Sequence, residues 1–175
     1  MKLRAADITD ARAIAEVHVL SWQHAYRGLL PQGFLDGLSV EQRQAVWSSS
    51  LTQGEASVLV AEVKDRVVGF SAFAPCRDEG AQSSDYEVLA IYVDPSQWST
   101  GVGRGLWLKS REVMVAQGAG RVSLWVLVGN ERAIRFYTAA GFQPDPGSVK
   151  AIEVGGVQAH EARYVLRSIR MGGKE

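Results

Sequence analysis

The sequence predicts a mixed α/β fold of the α+β kind, with helices flanking one sheet, in a single domain over residues 1–175. The first observation is the order of the predicted elements, β-α-α-β-β-β-α-β-α-β-β, read from the change of hydrophobic period along the chain. The second is that strand–helix–strand units in the middle imply some parallel pairing. The third is size, because 175 residues with 46% hydrophobic and 22% charged side chains suit one globular domain.

The N-terminal part is predicted to contain one strand and two helices. Residues 2–6 are compatible with an opening strand, and residues 7–10 offer side chains that cap a helix. A helical apolar pattern follows, and Gly28 and Pro31 end it. A second helix is predicted from about residue 39 to residue 51.

Six strands and two helices are predicted in the rest of the chain. Residues 56–63 and 66–73 have the pattern of an antiparallel hairpin. The nearly continuous apolar run 86–93 predicts a central strand that is buried on both faces. The remaining predicted elements are a helix at 101–117, a strand at 122–128, a helix at 130–140 and a closing hairpin of strands 149–154 and 157–166.

Charge and cysteine content narrow the function classes. Lys+Arg and Asp+Glu are 19 each, and this net charge of zero argues against a basic nucleic-acid footprint. The single cysteine, Cys76, excludes an intramolecular disulfide framework. His18, His24 and His160 lack ligand spacing, so no metal is expected. Residues 1–7 lack the apolar region of a signal peptide and no membrane-spanning run follows, so we expect a cytoplasmic protein with no membrane partner.

Glycines crowd the point where the predicted central strand gives way to a helix. Gly101, Gly103 and Gly105 let a ligand approach the backbone, and the N–H groups of a first helical turn favour a phosphate. The dinucleotide-binding glycine motif would need glycine at Leu106, and the P-loop would need it at Leu108, so neither is supported. The alternative is a glycine-rich helix start without a ligand.

The next predicted helix directs an amide and a phenol toward one groove. Ala133, Phe136, Tyr137 and Ala140 share a face by their i, i+3, i+4, i+7 spacing. Asn130 precedes Tyr137 on that side by about 10 Å of helical rise. The alternative is that Asn130 only caps the helix and Tyr137 only packs in the core.

Together these two segments resemble the signatures of the GNAT superfamily of acyl-CoA-dependent N-acetyltransferases. The strand followed by Gly101-Val102-Gly103 is similar to the family's pyrophosphate loop, Gln/Arg-x-x-Gly-x-Gly/Ala, and the pattern from Asn130 through Tyr137 to Gly141-Phe142 is similar to its second signature. The resemblance spans about residues 56–142. It implies a mostly antiparallel, seven-stranded sheet whose central parallel strand pair is splayed by a bulge near residues 89–90.

One part of the loop departs from the family pattern. Trp98 stands where the family prefers Gln or Arg, and Ser99 stands where glycine is common. Backbone amides can still bind an anion, so the departure concerns the side-chain contact from position 98 and the local turn. Gln97 could substitute in part if the turn is shifted.

The resemblance implies acetyl-CoA as the co-substrate, without a metal. The strand backbone would contact pantetheine, the loop amides would hold the pyrophosphate, and Asn130 would hydrogen-bond the pantetheine side. The implied cofactor-binding residues are Ile91, Tyr92, Val93, Trp98, Ser99, Thr100, Gly101, Val102, Gly103, Arg104, Asn130, Ala133 and Phe136.

The resemblance also implies catalytic and acceptor residues. An alkyl amine has a pKa near ~10.4 and is mostly protonated at neutral pH, so a base is useful. Glu87 matches the acidic position often used by relatives, the alternative being a salt bridge at the strand end. Tyr137 would protonate the leaving thiolate. The stretch at residues 21–31 resembles a bacterial subgroup in which this region covers the acceptor, the alternative being helix-packing aromatics. The aromatic residues concerned are Trp22, Tyr26, Phe34 and Trp47.

The expected function is therefore acetyl transfer from acetyl-CoA to a primary amine of a small molecule or peptide, by direct attack in a ternary complex. Two alternatives stay open, a non-catalytic acyl-CoA-binding or sensor domain and a protein N-terminal acetylase. No nucleic-acid partner is expected, and the apolar closing hairpin could support a homodimer.

Overall fold

The computed structural model describes residues 1–169, and these residues form one sheet with helices on both faces. Residues 170–175 of the expected domain lie outside the described part. The strands are β1 (Lys2–Ala5), β2 (Ser57–Val63), β3 (Arg66–Pro75), β4 (Asp85–Val93), β5 (Arg121–Leu127), β6 (Gln143–Pro144), β7 (Lys150–Val154) and β8 (Val157–Leu166). Their order in the sheet is β1-β2-β3-β4-β5-β8-β6, and β7 pairs with β8. Within the described residues β4 and β5 pair in parallel and the other pairs are antiparallel.

The helices divide between the two faces of this sheet. They are α1 (Ala11–Ala25), α2 (Gln32–Asp36), α3 (Val40–Gln53), α4 (Val102–Ala116) and α5 (Glu131–Ala139), and short 3₁₀ turns cover Ile8–Asp10 and Pro95–Gln97. Helices α1 and α3 pack together, and α1 lies on β3 and β4. Helix α4 also contacts β3 and β4, but its buried side chains belong to a separate apolar cluster that α5 joins.

The alternating side chains of β2 show how the sheet holds these two layers. Val58 and Val60 belong to the apolar cluster that contains Ile14 of α1. Leu59 and Ala61 belong to the cluster on the α4 side. Successive strand residues point to opposite faces, so one apolar strand supplies both cores.

The pair β4–β5 is joined at one end and open at the other. Its parallel ladder runs from Asp85 opposite Arg121 to Val88 opposite Leu124 and stops there. The register of β4 against β3 shifts at this point, because Ala72 faces Ala90 while Phe73 faces Val88, so Leu89 is the extra residue of a bulge. Such a bulge bends its strand. The predicted splay of the central pair and its predicted bulge are confirmed.

The structure differs from the sequence-based predictions in three respects. The sheet has an eighth strand, β6, whose two residues Gln143 and Pro144 pair with Val165 and Tyr164 of β8. Such a short pairing has no hydrophobic period that a sequence could reveal. Helix α2, of five residues, was also not predicted. Finally, β4 is not buried on both faces, since Leu89 is 36% exposed where the bulge opens the sheet.

None of the helices in residues 1–169 is long and apolar enough to cross a membrane.

Candidate active site

Two cavities meet where β4 and β5 separate. The loop cavity, of about 590 Å³, lies beside the start of α4 and the inner face of α5. The hairpin cavity, of about 680 Å³, lies beside the β7–β8 hairpin. The residues that line both cavities are Trp22, Tyr26, Val88, Leu89, Tyr92 and Trp125. The bulged segment of β4 therefore forms the junction between the two spaces.

The start of α4 gives the loop cavity its anion-binding character. Gly101 precedes the helix with a φ of 94°, a left-handed conformation that a side chain would strain, and no side chain caps the helix there. The Gly105 N–H bonds the Gly101 carbonyl at 2.9 Å, and the N–H groups before it have no partner within the helix. Gly103 lines the cavity beside the Phe136 ring. These groups and the helix dipole attract a phosphate.

Arginine side chains add positive charge to the same cavity. Arg104, Arg132 and Arg135 line it, and no aspartate or glutamate of the described residues does so. A guanidinium offers several fixed N–H donors that match phosphate oxygens. The loop cavity thus combines free backbone donors with fixed positive charge.

Trp98 anchors the loop instead of providing a polar contact. Its indole Nε1–H donates to the Val93 carbonyl at 2.8 Å, and the Ser21 hydroxyl donates to the same oxygen at 2.7 Å. The Arg132 guanidinium carbon lies 4.1 Å from the centre of the Trp98 ring. Trp98 therefore ties the end of β4 to the loop and presents a face on which Arg132 stacks.

Asn130 and Tyr137 both line the loop cavity. Asn130 is buried, and its Oδ1 accepts a bond from the Ala133 N–H at 3.2 Å, so it caps α5 as well. Tyr137 is half-buried, and burial raises the pKa of its phenol. This phenol stays protonated at neutral pH and can act as a proton donor.

The open edge of β4 supplies the backbone of the junction. Residues 89–93 continue the strand beyond the last β5 pairing at Val88. Backbone N–H and C=O groups on the β5 side of this stretch have no ladder partner there, although Val93 has the side-chain donors described above. An amide-bearing chain lying along this edge can pair with the remaining groups as a strand would.

Glu87 lies in the wall of the hairpin cavity. Its side chain is 12% exposed, and Arg77 approaches it at 3.7 Å from a side chain that is 73% exposed. Burial raises the pKa of the Glu87 carboxyl, and the Arg77 charge offsets that rise only in part. Glu87 is therefore a buried carboxylate with a loosely held partner, which makes it a better base than an exposed one.

Three phenols converge near the junction. Burial raises the pKa values of Tyr26, Tyr92 and Tyr137, and the charge of each neighbouring phenolate would raise that of Tyr26 further. All three are therefore neutral near pH 7. Beside them, the buried Nε1 of Trp22 has no hydrogen-bond partner within the described residues.

Several predicted site residues lie elsewhere. Phe34 and Trp47 line neither cavity, because Phe34 packs on the β7–β8 turn at Gly155 and Trp47 packs against Phe70. The Trp47 indole also donates to the buried His18 at 3.1 Å. Thr100 and Val102 do not line the loop cavity either. The Thr100 hydroxyl bonds the Gln97 carbonyl, and the Val102 side chain is buried in the core, which leaves their backbone amides as the groups that can bind. Gly105 faces Met1 and not the cavity.

Other lining residues escaped the sequence analysis. Tyr92 was expected to contribute its backbone, but its side chain lines both cavities, as does that of Trp125. Arg132 and Arg135 lie on the same helix as Tyr137, so their cationic i, i+3 spacing was a signal that could have been used. The remaining predicted cofactor-binding residues, Ile91, Tyr92, Val93, Trp98, Ser99, Gly101, Gly103, Arg104, Asn130, Ala133 and Phe136, line the loop cavity.

Known proteins share this architecture. The model of the acetyltransferase (GNAT) family matches residues 14–142. An uncharacterized N-acetyltransferase of Bacillus subtilis, YuaI, is 32% identical over 160 residues, covering 91% of this chain and 88% of YuaI. The PaiA N-acetyltransferase of Thermoplasma acidophilum, solved in complex with coenzyme A, has a TM-score of 0.70 at 20% identity and covers 93% of this chain and 96% of its own. YncA of Salmonella typhimurium, solved with its cofactor acetyl-CoA, has a TM-score of 0.74 at 20% identity. The alignment covers 100% of this chain and 97% of the YncA chain.

Proposed function

The chain belongs to the GNAT family of acetyltransferases, and we propose that it transfers an acetyl group from acetyl-CoA to a primary amine at the junction of its two cavities. The observation that carries this proposal is the opening between β4 and β5, which connects a cavity rich in anion-binding groups to one that contains a buried carboxylate. Two substrates held on opposite sides of one opening react as if at high local concentration.

The hydrogen-bond donors and positive charges that line the loop cavity suit acetyl-CoA. The free amides at the start of α4 and the guanidinium of Arg104 would hold the pyrophosphate, and the open edge of β4 at residues 89–93 would pair with the pantetheine amides. Asn130 would bond the pantetheine side from the start of α5. Acetyl-CoA supplies an acetyl group activated as a thioester. The PaiA and YncA structures, with coenzyme A and acetyl-CoA, support this assignment.

Glu87 would act as the general base. Its carboxylate removes a proton from the acceptor nitrogen, directly or through one water, as the nitrogen–carbon bond forms. The raised pKa of this carboxyl favours the role, because a more basic carboxylate takes up a proton more readily. Arg77 is exposed enough to move aside when the acceptor binds.

Tyr137 would act as the general acid. As the carbon–sulfur bond breaks, its phenol gives a proton to the thiolate sulfur, and exchange with water then restores Tyr137 and Glu87. A thiol has a pKa near ~8.5, so the thiolate leaves readily and this assistance is modest. The free N–H groups near the bulge at Leu89 would polarise the acetyl carbonyl during the same step.

The test is release of the coenzyme A thiol from acetyl-CoA in the presence of a panel of primary amines, with acetyl-CoA binding measured separately by calorimetry. We expect amine-dependent thiol release together with one acetylated amine per thiol. A non-catalytic acyl-CoA-binding domain would bind acetyl-CoA without releasing thiol for any amine. A protein N-terminal acetylase would accept peptides and reject small amines.

A further inference from the structure

We propose that the acceptor is a small primary amine with an apolar or aromatic body and no second positive charge, and that Phe34 packed on Gly155 keeps extended peptides out of the hairpin cavity. This inference rests on the proposed function, since it names the acceptor class for that reaction. It is drawn from the rings, the charges and one close contact around the hairpin cavity.

Aromatic rings form the wall nearest the junction. Trp22, Tyr26, Tyr92 and Trp125 line both cavities, and the Trp22 and Tyr26 rings meet edge to face with centroids 5.0 Å apart. A flat apolar group placed among such rings gains from burial and from ring–ring geometry. A neutral amine, which is the reactive form, also loses less on leaving water than an ammonium does.

Two of the three acidic side chains of the hairpin cavity have close basic partners, and the third, Glu87, has a loosely held one. Lys150 lies 3.0 Å from Glu161 and 3.7 Å from the centre of the Trp125 ring. Glu87 has Arg77 beside it.

Another acidic side chain, Asp78, accepts from Arg163 at 2.7 Å. Polycationic acceptors, such as polyamines or aminoglycosides, need surplus carboxylates to replace the water around each ammonium. Among the described lining residues only Glu87, whose partner Arg77 is exposed, can turn to an ammonium, so a second positive charge finds no carboxylate there.

A contact between two distant segments joins two parts of the cavity wall. The segment from Tyr26 to α2 supplies Tyr26 and Leu30 to the wall, and the β7–β8 hairpin supplies Ile152 and Val154. The two meet where Phe34 packs on the hairpin turn. A Cβ built on Gly155 would lie 2.5 Å from the Phe34 Cγ, so the absence of a side chain at position 155 is what permits this contact.

Leu29, in the same segment, packs closely on a second glycine. A Cβ at Gly129, which follows β5, would lie 2.9 Å from the Leu29 Cδ2. The segment is therefore held at the end of β5 and at the hairpin turn, and its Tyr26 and Leu30 form part of the cavity wall. An extended peptide would have to part this contact to lie across the site, whereas a compact amine would not.

The first test compares three acceptors under one assay, 2-phenylethylamine, spermidine and a tripeptide with a free N-terminus. We expect kcat/KM for 2-phenylethylamine to exceed that of the other two by about 100-fold or more, because an unpaired buried ammonium is costly. A preference for spermidine or the tripeptide would overturn the acceptor class while leaving acetyl transfer intact. Acetyl-CoA binding without thiol release for any of a broad amine panel would overturn the proposed function, and this inference with it.

The second test uses a matched pair of glycines in the hairpin turn. Gly155 and Gly156 have φ values of 62° and 76°, so alanine strains the backbone similarly at both, but nothing lies within 4 Å of a Cβ at Gly156. Gly155→Ala is expected to raise KM for 2-phenylethylamine about tenfold, while Gly156→Ala and the acetyl-CoA affinity of both variants change little.

The double variant Phe34→Ala with Gly155→Ala separates the contact from backbone strain. If the Phe34 ring is the cause, Gly155→Ala changes KM for 2-phenylethylamine much less in the Phe34→Ala background than in the wild type. Both variants that lack the Phe34 ring then accept the tripeptide better than the wild type does. Equal effects of Gly155→Ala and Gly156→Ala, with the tripeptide still rejected, would contradict the proposed role of this contact.

Discussion

The two cavities of this protein present different kinds of groups to a ligand. The loop cavity relies on the backbone of α4 and of β4, supplemented by Arg104, Arg132 and Arg135. The hairpin cavity relies on side chains from distant segments, with paired charges and aromatic rings. A backbone site tolerates side-chain change, so it suits a ligand shared by a whole family. A side-chain site changes with each substitution, so it suits an acceptor that differs among relatives.

The largest expected effect is loss of the base on the hairpin side. Glu87→Gln keeps the size of the side chain but cannot accept the proton, so kcat/KM should fall about 1000-fold, within the range usual for acid–base catalysis. Acetyl-CoA affinity should stay within about twofold of the wild type, which calorimetry measures. An unchanged kcat/KM would remove Glu87 from the mechanism.

The pH dependence of the activity lost in Glu87→Gln tests the same role. The ratio of wild-type to Glu87→Gln activity should fall as the pH drops through the Glu87 pKa, which burial raises above its ordinary value. Titration of the acceptor amine cancels in that ratio. A carboxyl with a raised folded pKa costs stability above that pKa and recovers it as the pH falls. Glu87→Gln should therefore be at least as stable as the wild type near pH 7, as chemical denaturation can check.

The acid on the loop side should matter less. Tyr137→Phe removes the proton donor but keeps the ring, and thiolate is a good leaving group, so kcat should fall by about 100-fold at most. KM for the acceptor amine should not change, because Tyr137 does not line the hairpin cavity. Steady-state kinetics with the acceptor varied at saturating acetyl-CoA measures both, and a raised acceptor KM with unchanged kcat would contradict this role.

A still smaller effect is expected from the backbone at the start of α4. Gly101→Ala strains a residue with a φ of 94° and should weaken acetyl-CoA binding about tenfold by turning the free amides away. Gly118→Ala is the matched control, since Gly118 follows the same helix with a φ of 91° and nothing within 4 Å of a Cβ. Similar losses of stability but equal acetyl-CoA affinities in the two variants would show that these amides do not bind the phosphates.

The smallest effect is expected at Trp98, the residue that departs from the family pattern. Trp98→Phe removes the bond to the Val93 carbonyl but leaves the Ser21 bond and a ring for Arg132. The free energy of unfolding should fall by about 1 kcal/mol. Acetyl-CoA affinity should change less than twofold. A large loss of affinity with unchanged stability would show that Trp98 contacts the ligand directly.

The difference between the cavities also explains what the sequence could predict. Most residues predicted to bind the cofactor line the loop cavity, because the glycines at 101–103 and the helix from Asn130 to Tyr137 follow directly after the two central strands. The splay of the central pair and its bulge at Leu89 also agree with expectation. These features depend on short segments with a recognisable local pattern.

The hairpin cavity was predicted poorly for a physical reason. Its wall combines Tyr26, Tyr92, Trp125 and Lys150, which are far apart in sequence and share no period. In a strand, an aromatic residue that lines a cavity has the same pattern as one that packs in the core. Phe34 was expected in the acceptor pocket, yet its packing depends on a glycine more than a hundred residues away, which no local pattern reveals. The homodimer and the cytoplasmic location stay predictions.

The most direct test of this account measures both products of one reaction. Wild-type protein, acetyl-CoA and 2-phenylethylamine are combined, and coenzyme A thiol and N-acetylated amine are quantified together, with Glu87→Gln in parallel. We predict one acetylated amine for each thiol in the wild type and a loss of both products of about 1000-fold in the variant. Thiol release without acetylated amine, or acetyl-CoA binding with neither product for any amine tested, would contradict acetyl transfer at the junction of the two cavities.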